Sequence, residues 1–208
     1  MSSSDQKIHA KLIKIAKSHH PALAEIMKVN GALSLEPSDE KDLFNFLART
    51  VTGQQLSVAA ARTIWDRLGE FSSKKNTSLQ ALCVSKNEEK LRACGLSKNK
   101  IKALISLRDS FKAGDISHAK IIKADYEDII SLITSLWGFG NWSADMAAMF
   151  YVRHPDVWPI GDAAIVRGVK KYLDDSVSMN DVADKYSPYR AYLARHIWKA
   201  LDAEVMNK

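Results

Sequence analysis

The residues LWGFGNWSADMAAMFYVRHPDVWPIGD, numbered 136–162, contain a short turn, a helix, an extended loop and one carboxylate before the next helix. Gly138 and Gly140 both allow positive φ at no steric cost, so the turn can join two helices within a few residues. Without side chains there, backbone N–H groups and the positive end of the second helix can approach a phosphate. The pattern predicts a phosphate-binding helix–hairpin–helix. The alternative is an ordinary corner between two helices, with Asn141 as a cap.

Asp162 ends this stretch, after the extended Pro159-Ile160-Gly161 and before a helix. Aspartate is a preferred N-cap residue, so capping alone can explain it. Trp142 and Trp158 occur in the same stretch, and Gly161 allows a substrate to approach closely. Aromatic side chains and an acid near a phosphate-binding turn suit a base rotated out of a duplex. A place in the hydrophobic core is the alternative for each tryptophan.

The composition is that of a soluble globular protein, with 208 residues, 46% hydrophobic and 26% charged. The formal charge of +6 favours a polyanionic partner, although charge alone is weak evidence. No segment reaches a membrane-spanning length and no signal sequence is recognisable, so a cytoplasmic protein, or a nuclear one in a eukaryote, is expected. Cys83 and Cys94 are predicted to be reduced thiols, since two cysteines cannot complete a four-thiolate site.

Apolar residues recur at helical spacing through most of the chain, and no alternating run is long enough to demand a sheet. The sequence therefore predicts an all-α protein. Ser38 and Asp39 are candidate N-caps of the helix that contains Leu43, and Ser57 restarts the helical pattern after a break. Further predicted helices cover about residues 5–18, 22–29, 79–84, 87–93 and 98–111.

Polar residues mark the connections between these helices. Loops are expected at residues 72–77 and 114–119, and a polar turn at 174–178. Ser187-Pro188 is expected to open the last helix, which runs to about Val205.

Five blocks of the sequence, in this order, resemble the helix–hairpin–helix DNA glycosylase superfamily, and within it the 3-methyladenine DNA glycosylase II (AlkA-like) branch. Each block alone is moderately specific, and the ordered set is strong. The blocks are FLARTVTGQQLSVAAARTIWDRL (46–68), LRACGLSKNKIKALISL (91–107), LWGFGNWSADMAAMF (136–150), VWPIGDAAIVRGV (157–169) and SPYRAYLARHIWKAL (187–201).

The resemblance implies a two-lobed helical fold in which DNA crosses an inter-lobe cleft. Residues 1–208 then form one glycosylase unit. About 50–160 make a central lobe with the hairpin 136–141, and helices from about 5–50 and 160–206 make the second lobe. The implied partner is double-stranded DNA containing alkylated bases, bound by a monomer with no membrane contact.

The resemblance also assigns roles to individual residues. Asp162 falls on the catalytic aspartate of the superfamily, and Gln54 and Gln55 fall in the loop that fills the gap left by the flipped nucleotide. Lys100 falls where a phosphate contact is expected, with a solvated lysine as the alternative. The implied base pocket contains Trp142, Trp158 and Trp198, and the implied phosphate-binding turn contains Gly138, Phe139 and Gly140, with a monovalent cation on the hairpin carbonyls as an option.

The sequence differs from members of the superfamily at several positions that bear on activity. Members that also cleave the strand have a lysine after the hairpin, where this chain has Trp142, so no abasic-site lyase activity is expected. No cysteine follows Cys94, which excludes the iron–sulfur cluster of other members, and no cofactor is expected. Met146 and Ala163 replace aromatic residues of the branch, and there is no room for the additional N-terminal domain of its prototype. The resemblance therefore implies a compact monofunctional glycosylase for alkylated purines such as 3-methyladenine and 7-methylguanine.

Two other functions remain open from the residues alone. One is a glycosylase for another lesion, such as uracil, hypoxanthine or ethenoadenine. The other is a non-catalytic DNA-binding module in which Asp162 is only a helix cap.

Overall fold

Helices make up the regular structure of the computed structural model, which describes residues 2–36, 38–173 and 177–206, with side chains to residue 203. No strand occurs within these ranges, and this confirms the all-α prediction. Over the same residues, no helix is long and apolar enough to cross a membrane.

The chain divides into two compact units, a central unit of residues 38–152 and a terminal unit of residues 1–37 and 153–208. The sequence placed the first boundary near residue 50. It lies earlier because the helix Leu43–Gly53 (α3) packs against helices of the central unit on several sides. The helices of the central unit are α3, α4 (Val58–Lys74), α5 (Leu79–Leu82), α6 (Glu88–Ala93), α7 (Lys98–Ala113), α8 (His118–Lys123), α9 (Tyr126–Thr134) and α10 (Asn141–Met146), with a 3-10 turn at Ser85–Asn87 and a π-helix at Ala147–Val152.

The apolar face of α3 forms the centre of this unit. Phe44, Leu47 and Val51 are each at most 1% exposed, and α3 contacts α4, α7, α10 and the π-helix. Burial of three large apolar side chains contributes roughly 1.5–3 kcal/mol each to folding. Because α3 is fixed on several sides, its C-terminal end at Gly53 is a rigid starting point for the following loop.

Several predicted boundaries in the central unit are wrong by a few residues. The N-cap of α3 is Asp42, whose carboxylate accepts a hydrogen bond from the Asn45 amide at 2.8 Å, and not Ser38 or Asp39. Helix α4 continues to Lys74 into the predicted loop at 72–77. Helix α8 begins at His118, inside the predicted loop at 114–119. The six residues of α8 are too few to show the apolar periodicity on which the predictions depended.

The terminal unit is built around the contact between two helices, Ala163–Tyr172 (α11) and Arg190–Met206 (α13). A Cβ added to Gly168 would lie 2.2 Å from Cγ2 of Ile197, so only glycine permits this close approach. The buried residues Leu12, Met27 and Val169 fill the surrounding core. The helices of this unit are α1 (Ser3–His19), α2 (Pro21–Asn30), α11 (Ala163–Tyr172), α12 (Met179–Asp184) and α13 (Arg190–Met206).

The segment between α11 and α13 differs from the prediction where the structure describes it. Of the turn predicted at 174–178, residues 174–176 lie outside the described residues, and α12 follows with Ser178 as its N-cap. The last helix begins at Arg190 and not at Ser187-Pro188. Helix α12 escaped prediction because it is only six residues long.

Both cysteines are buried and neither forms a disulfide. This confirms the prediction of two separate thiols. Burial raises the pKa of the Cys83 thiol to about 12. A thiol with so high a pKa is protonated and therefore a poor nucleophile.

A buried histidine lies in the terminal unit, on α13. His196 is 1% exposed, and the Asn30 side chain donates a hydrogen bond to the His196 carbonyl at 2.9 Å. The ring of His9 stacks on the His196 ring, with centroids 5.4 Å apart. Burial lowers the pKa of His196 from the ordinary 6.5 to about 3, and the nearby His9 acts in the same direction.

This histidine should make stability depend on pH. The folded protein keeps His196 neutral, whereas the unfolded chain binds a proton as the pH falls below 6.5. The stability is therefore fully present above that pH and decreases towards pH 3, by at most about 1.4 kcal/mol per pH unit. We expect denaturant unfolding of His196→Gln to show a flatter dependence between pH 7 and 5 than the wild type. Parallel pH curves for the two proteins would contradict this assignment.

Candidate active site

The turn between α9 and α10 has the geometry of a tight hairpin. The Phe139 amide donates to the Leu136 carbonyl at 3.1 Å, and Gly138 has a φ of 86°. A bond from residue i+3 to residue i, with positive φ at i+2, is typical of a type II turn. Phe139 is 6% exposed, so its side chain anchors the turn in the central unit.

The two hairpin glycines have different roles. A Cβ on Gly138 would lie 2.7 Å from the Cβ of Ala103 on α7, so this glycine allows α7 to contact the turn. Gly140 has a φ of −121° and no atom within 4 Å of an added Cβ. Gly138 therefore adopts the positive φ that glycine allows, whereas Gly140 does not. The open space at Gly140 leaves room for a ligand to approach the backbone.

Helix α10 presents its N-terminal end at this turn. Gly140 is the N-cap and Asn141 is the first helical residue, so Asn141 is not the cap. The first amides of a helix have no intrahelical acceptor, and they carry the positive end of the helix dipole. Trp142 lies in this first turn and is half-buried. The exposed Lys102 adds positive charge nearby, with Nζ 4.2 Å from the centre of the Trp137 ring.

The two glutamines of the α3–α4 loop, residues 54–57, differ in their contacts. The Gln54 side chain donates from Nε2 to the Gly138 carbonyl at 3.3 Å and to Ser143 Oγ at 3.1 Å. Gln55 is exposed and has a φ of 57°, a left-handed conformation that is rare outside glycine. Gln54 is thus bound to the hairpin, whereas Gln55 is presented to solvent.

Lys100 is bound to this same loop from the first turn of α7. Its ammonium donates to the carbonyls of Thr52 and Gln54, at 2.8 Å each. These carbonyls belong to the C-terminal end of α3 and the residue after it, where helical carbonyls lack intrahelical donors. Burial lowers the pKa of Lys100. The predicted phosphate contact of Lys100 remains a prediction, and the alternative of a simply solvated lysine is wrong.

In the terminal unit, Asp162 is the N-cap of α11 and its carboxylate is held from three directions. Oδ1 accepts from the amides of Ala164 at 3.0 Å and Ile165 at 2.9 Å. It also accepts from Nε1 of Trp198 on α13 at 3.0 Å. The capping role is therefore real. The third donor, which α11 does not need for capping, fixes the carboxylate in one orientation.

Trp158 lies four residues before Asp162 and is 7% exposed. Its indole Nε1 is buried, and no hydrogen-bond acceptor for it occurs in the described part of the chain. A buried N–H of this kind is costly unless water or a ligand accepts its hydrogen bond. Its predicted place in the base pocket remains a prediction.

An ion pair that the sequence did not predict ties the loop before Asp162 to the start of α13. Arg190 donates from Nε to Oδ1 of Asp156 at 2.6 Å and from Nη2 to Oδ2 at 2.9 Å. Burial opposes ionisation of Asp156, but the hydrogen bonds from Arg190 and Ser187 outweigh it and lower the pKa of this carboxyl. The loop is thus attached to the helix that carries Trp198. No local sequence signal could pair residues so far apart in the chain.

The predicted residues fall into two groups. In the central unit the structure brings Gln54 and Lys100 together with the hairpin at Gly138. In the terminal unit it brings Asp162 and Trp198 together. The predicted ligation of a monovalent cation by the hairpin carbonyls stays a prediction. Among the described residues, no cluster of three or more His, Cys, Asp or Glu side chains could hold a metal ion.

Known proteins resemble this chain in sequence. The DNA-3-methyladenine glycosylase of Saccharomyces cerevisiae is 32% identical over 205 residues, which span 90% of this chain and 69% of that protein. DNA-3-methyladenine glycosylase 1 of Schizosaccharomyces pombe is 28% identical over 168 residues, which span 77% of this chain and 73% of that protein.

Solved structures share the fold. The 3-methyladenine DNA glycosylase of Schizosaccharomyces pombe in complex with abasic DNA superposes with a TM-score of 0.77 at 24% identity, covering 91% of this chain and 95% of that one. The DNA-3-methyladenine glycosidase of Bacillus halodurans gives 0.72 at 24% identity, covering 89% and 86%. At these identities the likeness shows the fold alone.

The family model described as HhH-GPD superfamily base excision DNA repair protein matches residues 48–176, which is more than half of the chain. This match confirms the superfamily predicted from the five sequence blocks. The chain belongs to the HhH-GPD superfamily of base excision DNA repair proteins.

Proposed function

We propose that this protein is a monofunctional DNA glycosylase that hydrolyses the N-glycosidic bond of alkylated purines in double-stranded DNA and leaves an abasic site. The observation that carries the proposal is the Asp162 carboxylate, held by two backbone amides and the Trp198 indole. The sequence relatives named as DNA-3-methyladenine glycosylases support the choice of substrate.

The chemistry requires little from the protein beyond one oriented negative charge. A purine methylated at N3 or N7 carries positive charge and leaves readily, so no general acid is needed. Bond cleavage leaves an oxocarbenium-like sugar, as in glycoside hydrolysis. Asp162 stabilises that cation and orients or deprotonates the attacking water. Because three donors fix its carboxylate beforehand, no reorganisation is required during the reaction.

The central unit provides DNA binding and base flipping in this proposal. Gly138, Phe139 and Gly140 form the turn, and the amides from Gly140 to the start of α10 bind a backbone phosphate without reading the sequence. The target nucleotide must leave the stack at a cost of a few kcal/mol. Gln55 fills the gap, since it is the exposed glutamine, whereas the side chain of Gln54 is bound to the hairpin.

Tryptophans select the charged base in this proposal. Trp142 and Trp198 stack on the flipped base, and Trp158 lines the pocket with its buried indole. Each cation–π contact favours a cationic base by about 0.5–2 kcal/mol over a neutral one. Met146 and Ala163 stand where the AlkA-like branch has aromatic residues, so the base selectivity in this proposal differs from that of the branch prototype.

Two finer features belong to the same proposal. A strand-cleaving glycosylase forms a covalent intermediate through an amine, and the position after the hairpin holds Trp142, which has no amine. Water is then the nucleophile and the strand stays intact. A monovalent cation on the hairpin carbonyls would add positive charge at the phosphate. The working compartment is the one that holds the DNA, the bacterial cytoplasm or a nucleus.

The decisive experiment is incubation of the protein with dimethyl-sulfate-treated DNA, followed by mass identification of the released bases. We expect 3-methyladenine and 7-methylguanine, and abasic strands that break only after alkali. Release from duplexes containing uracil, hypoxanthine or ethenoadenine, but not from methylated DNA, would favour a glycosylase for another lesion. Binding with no release from any substrate would favour a DNA-binding module.

A further inference from the structure

The α3–α4 loop holds Gln55 in a strained conformation. A left-handed backbone costs a non-glycine residue about 1–2 kcal/mol, and Gln55 has a φ of 57°. Strain of this kind persists only where the surrounding structure over-determines it. The contacts that fix the loop therefore keep Gln55 in this exposed conformation.

Lys100 makes the first of these contacts, to the end of α3. It is the third residue of α7, where a positive side chain lies at the positive end of its own helix, an unfavourable place for a cation. Its Nζ instead reaches the negative C-terminal end of α3, at 2.8 Å from the carbonyls of Thr52 and Gln54. The contact to α3 explains why a lysine occupies this position, and it fixes the residue immediately before Gln55.

Gln54 makes the second contact, on the other side of the loop. Its Nε2 donates to Gly138 in the hairpin and to Ser143 on α10. The backbone oxygen of Gln54 is thus bound to α7, while its side chain is bound to the hairpin. These hydrogen bonds fix the residue before Gln55 relative to both α7 and the hairpin.

We propose that Lys100 and Gln54 are positioning residues that hold Gln55 at a fixed place relative to the hairpin, so that phosphate binding brings the gap-filling side chain into register with the flipped nucleotide. This inference rests on the proposed glycosylase function. In this proposal Lys100 supports base flipping through its hydrogen bonds to the α3–α4 loop. This role does not depend on the predicted contact between Lys100 and DNA.

The test compares excision of 7-methylguanine from two duplexes, one with cytosine opposite the lesion and one with an abasic-site analogue opposite it. Flipping is costly in the first duplex and cheap in the second. Single-turnover rates are measured for wild type, Lys100→Met, Lys100→Arg, Gln54→Met and the control Lys112→Met, which removes an exposed lysine from the last turn of the same helix.

We expect Lys100→Met and Gln54→Met to slow excision from the paired duplex about tenfold, the effect of losing a hydrogen bond that acts in the rate-limiting step. Excision from the duplex with the abasic analogue should slow at most about threefold. Lys100→Arg should restore most of the rate on the paired duplex, because the guanidinium also has N–H donors for the two carbonyls. Lys112→Met should match the wild type on both substrates.

The ratio of the two rates separates positioning from general stability, because misfolded protein reduces both rates equally. Equal losses on the two duplexes, or no loss on the paired one, would overturn the positioning role of Lys100 and Gln54. If the wild type releases no base from either duplex, the proposed function itself fails, and that result is distinct from a failure of the positioning role.

Discussion

Asp162→Asn should abolish base excision while leaving binding to abasic-site DNA within a few fold. The reacting sugar develops positive charge, and the variant removes the negative charge that stabilises it. Loss of a single preorganised electrostatic group costs on the order of a hundredfold to a thousandfold in rate, and we expect at least the upper value because the carboxylate also acts on the water. Single-turnover release of 7-methylguanine measures this effect directly.

The geometry of Asp162 makes asparagine the right substitution. Its amide oxygen can still accept the hydrogen bonds from Ala164, Ile165 and Trp198 that the carboxylate accepts now. The cap of α11 is then retained, and the melting temperature should change little. Asp162→Ala, in contrast, removes the cap at a cost of about 1 kcal/mol and leaves the indole N–H without this acceptor.

A comparison of the two variants therefore separates chemistry from folding. Both should be inactive, but only Asp162→Ala should melt at a lower temperature. Release at the wild-type rate by Asp162→Asn would show that Asp162 is only a cap and would overturn its assignment as the catalytic carboxylate.

Local features of the site could be predicted from the sequence. Gly138 must adopt a positive φ because the turn joins two helices in very few residues, and that demand is visible in the sequence itself. Asp162 caps α11 for an equally local reason, since an N-cap carboxylate reaches amides two and three residues ahead.

Contacts between distant parts of the chain could not be predicted in this way. Lys100 is bound to Thr52, and Trp198 to Asp162, across segments whose periodicity shows only which face of each helix is buried. Family resemblance placed Lys100 and Trp198 near the reaction but did not indicate which atoms they contact. The sequence also did not indicate that Gly140 has an ordinary φ and open space around it, whereas Gly138 has a positive φ and a close neighbour.

Gly138→Val should be the most damaging change in the central unit. Valine is strained at the observed φ of 86°, and its Cβ would overlap the Cβ of Ala103, 2.7 Å away. We expect a lower melting temperature together with loss of DNA binding for every flanking sequence, because the turn contacts the backbone and not the bases. This variant alone cannot distinguish a binding turn from a structural corner, since both depend on the same fold.

Gly140→Ala makes that distinction. Its φ of −121° suits alanine and no protein atom lies within 4 Å of the added Cβ. Alanine is a poorer N-cap than glycine but loses less backbone entropy on folding, so the melting temperature should change little. If a phosphate lies against this backbone, the methyl group displaces it, and affinity for abasic-site duplexes measured by fluorescence anisotropy should fall about tenfold. Gly69→Ala, an equally open position on α4, is the matched control and should bind as the wild type does. Undiminished binding by Gly140→Ala would mean that the hairpin is a corner between two helices, and the DNA backbone would then have to be held elsewhere.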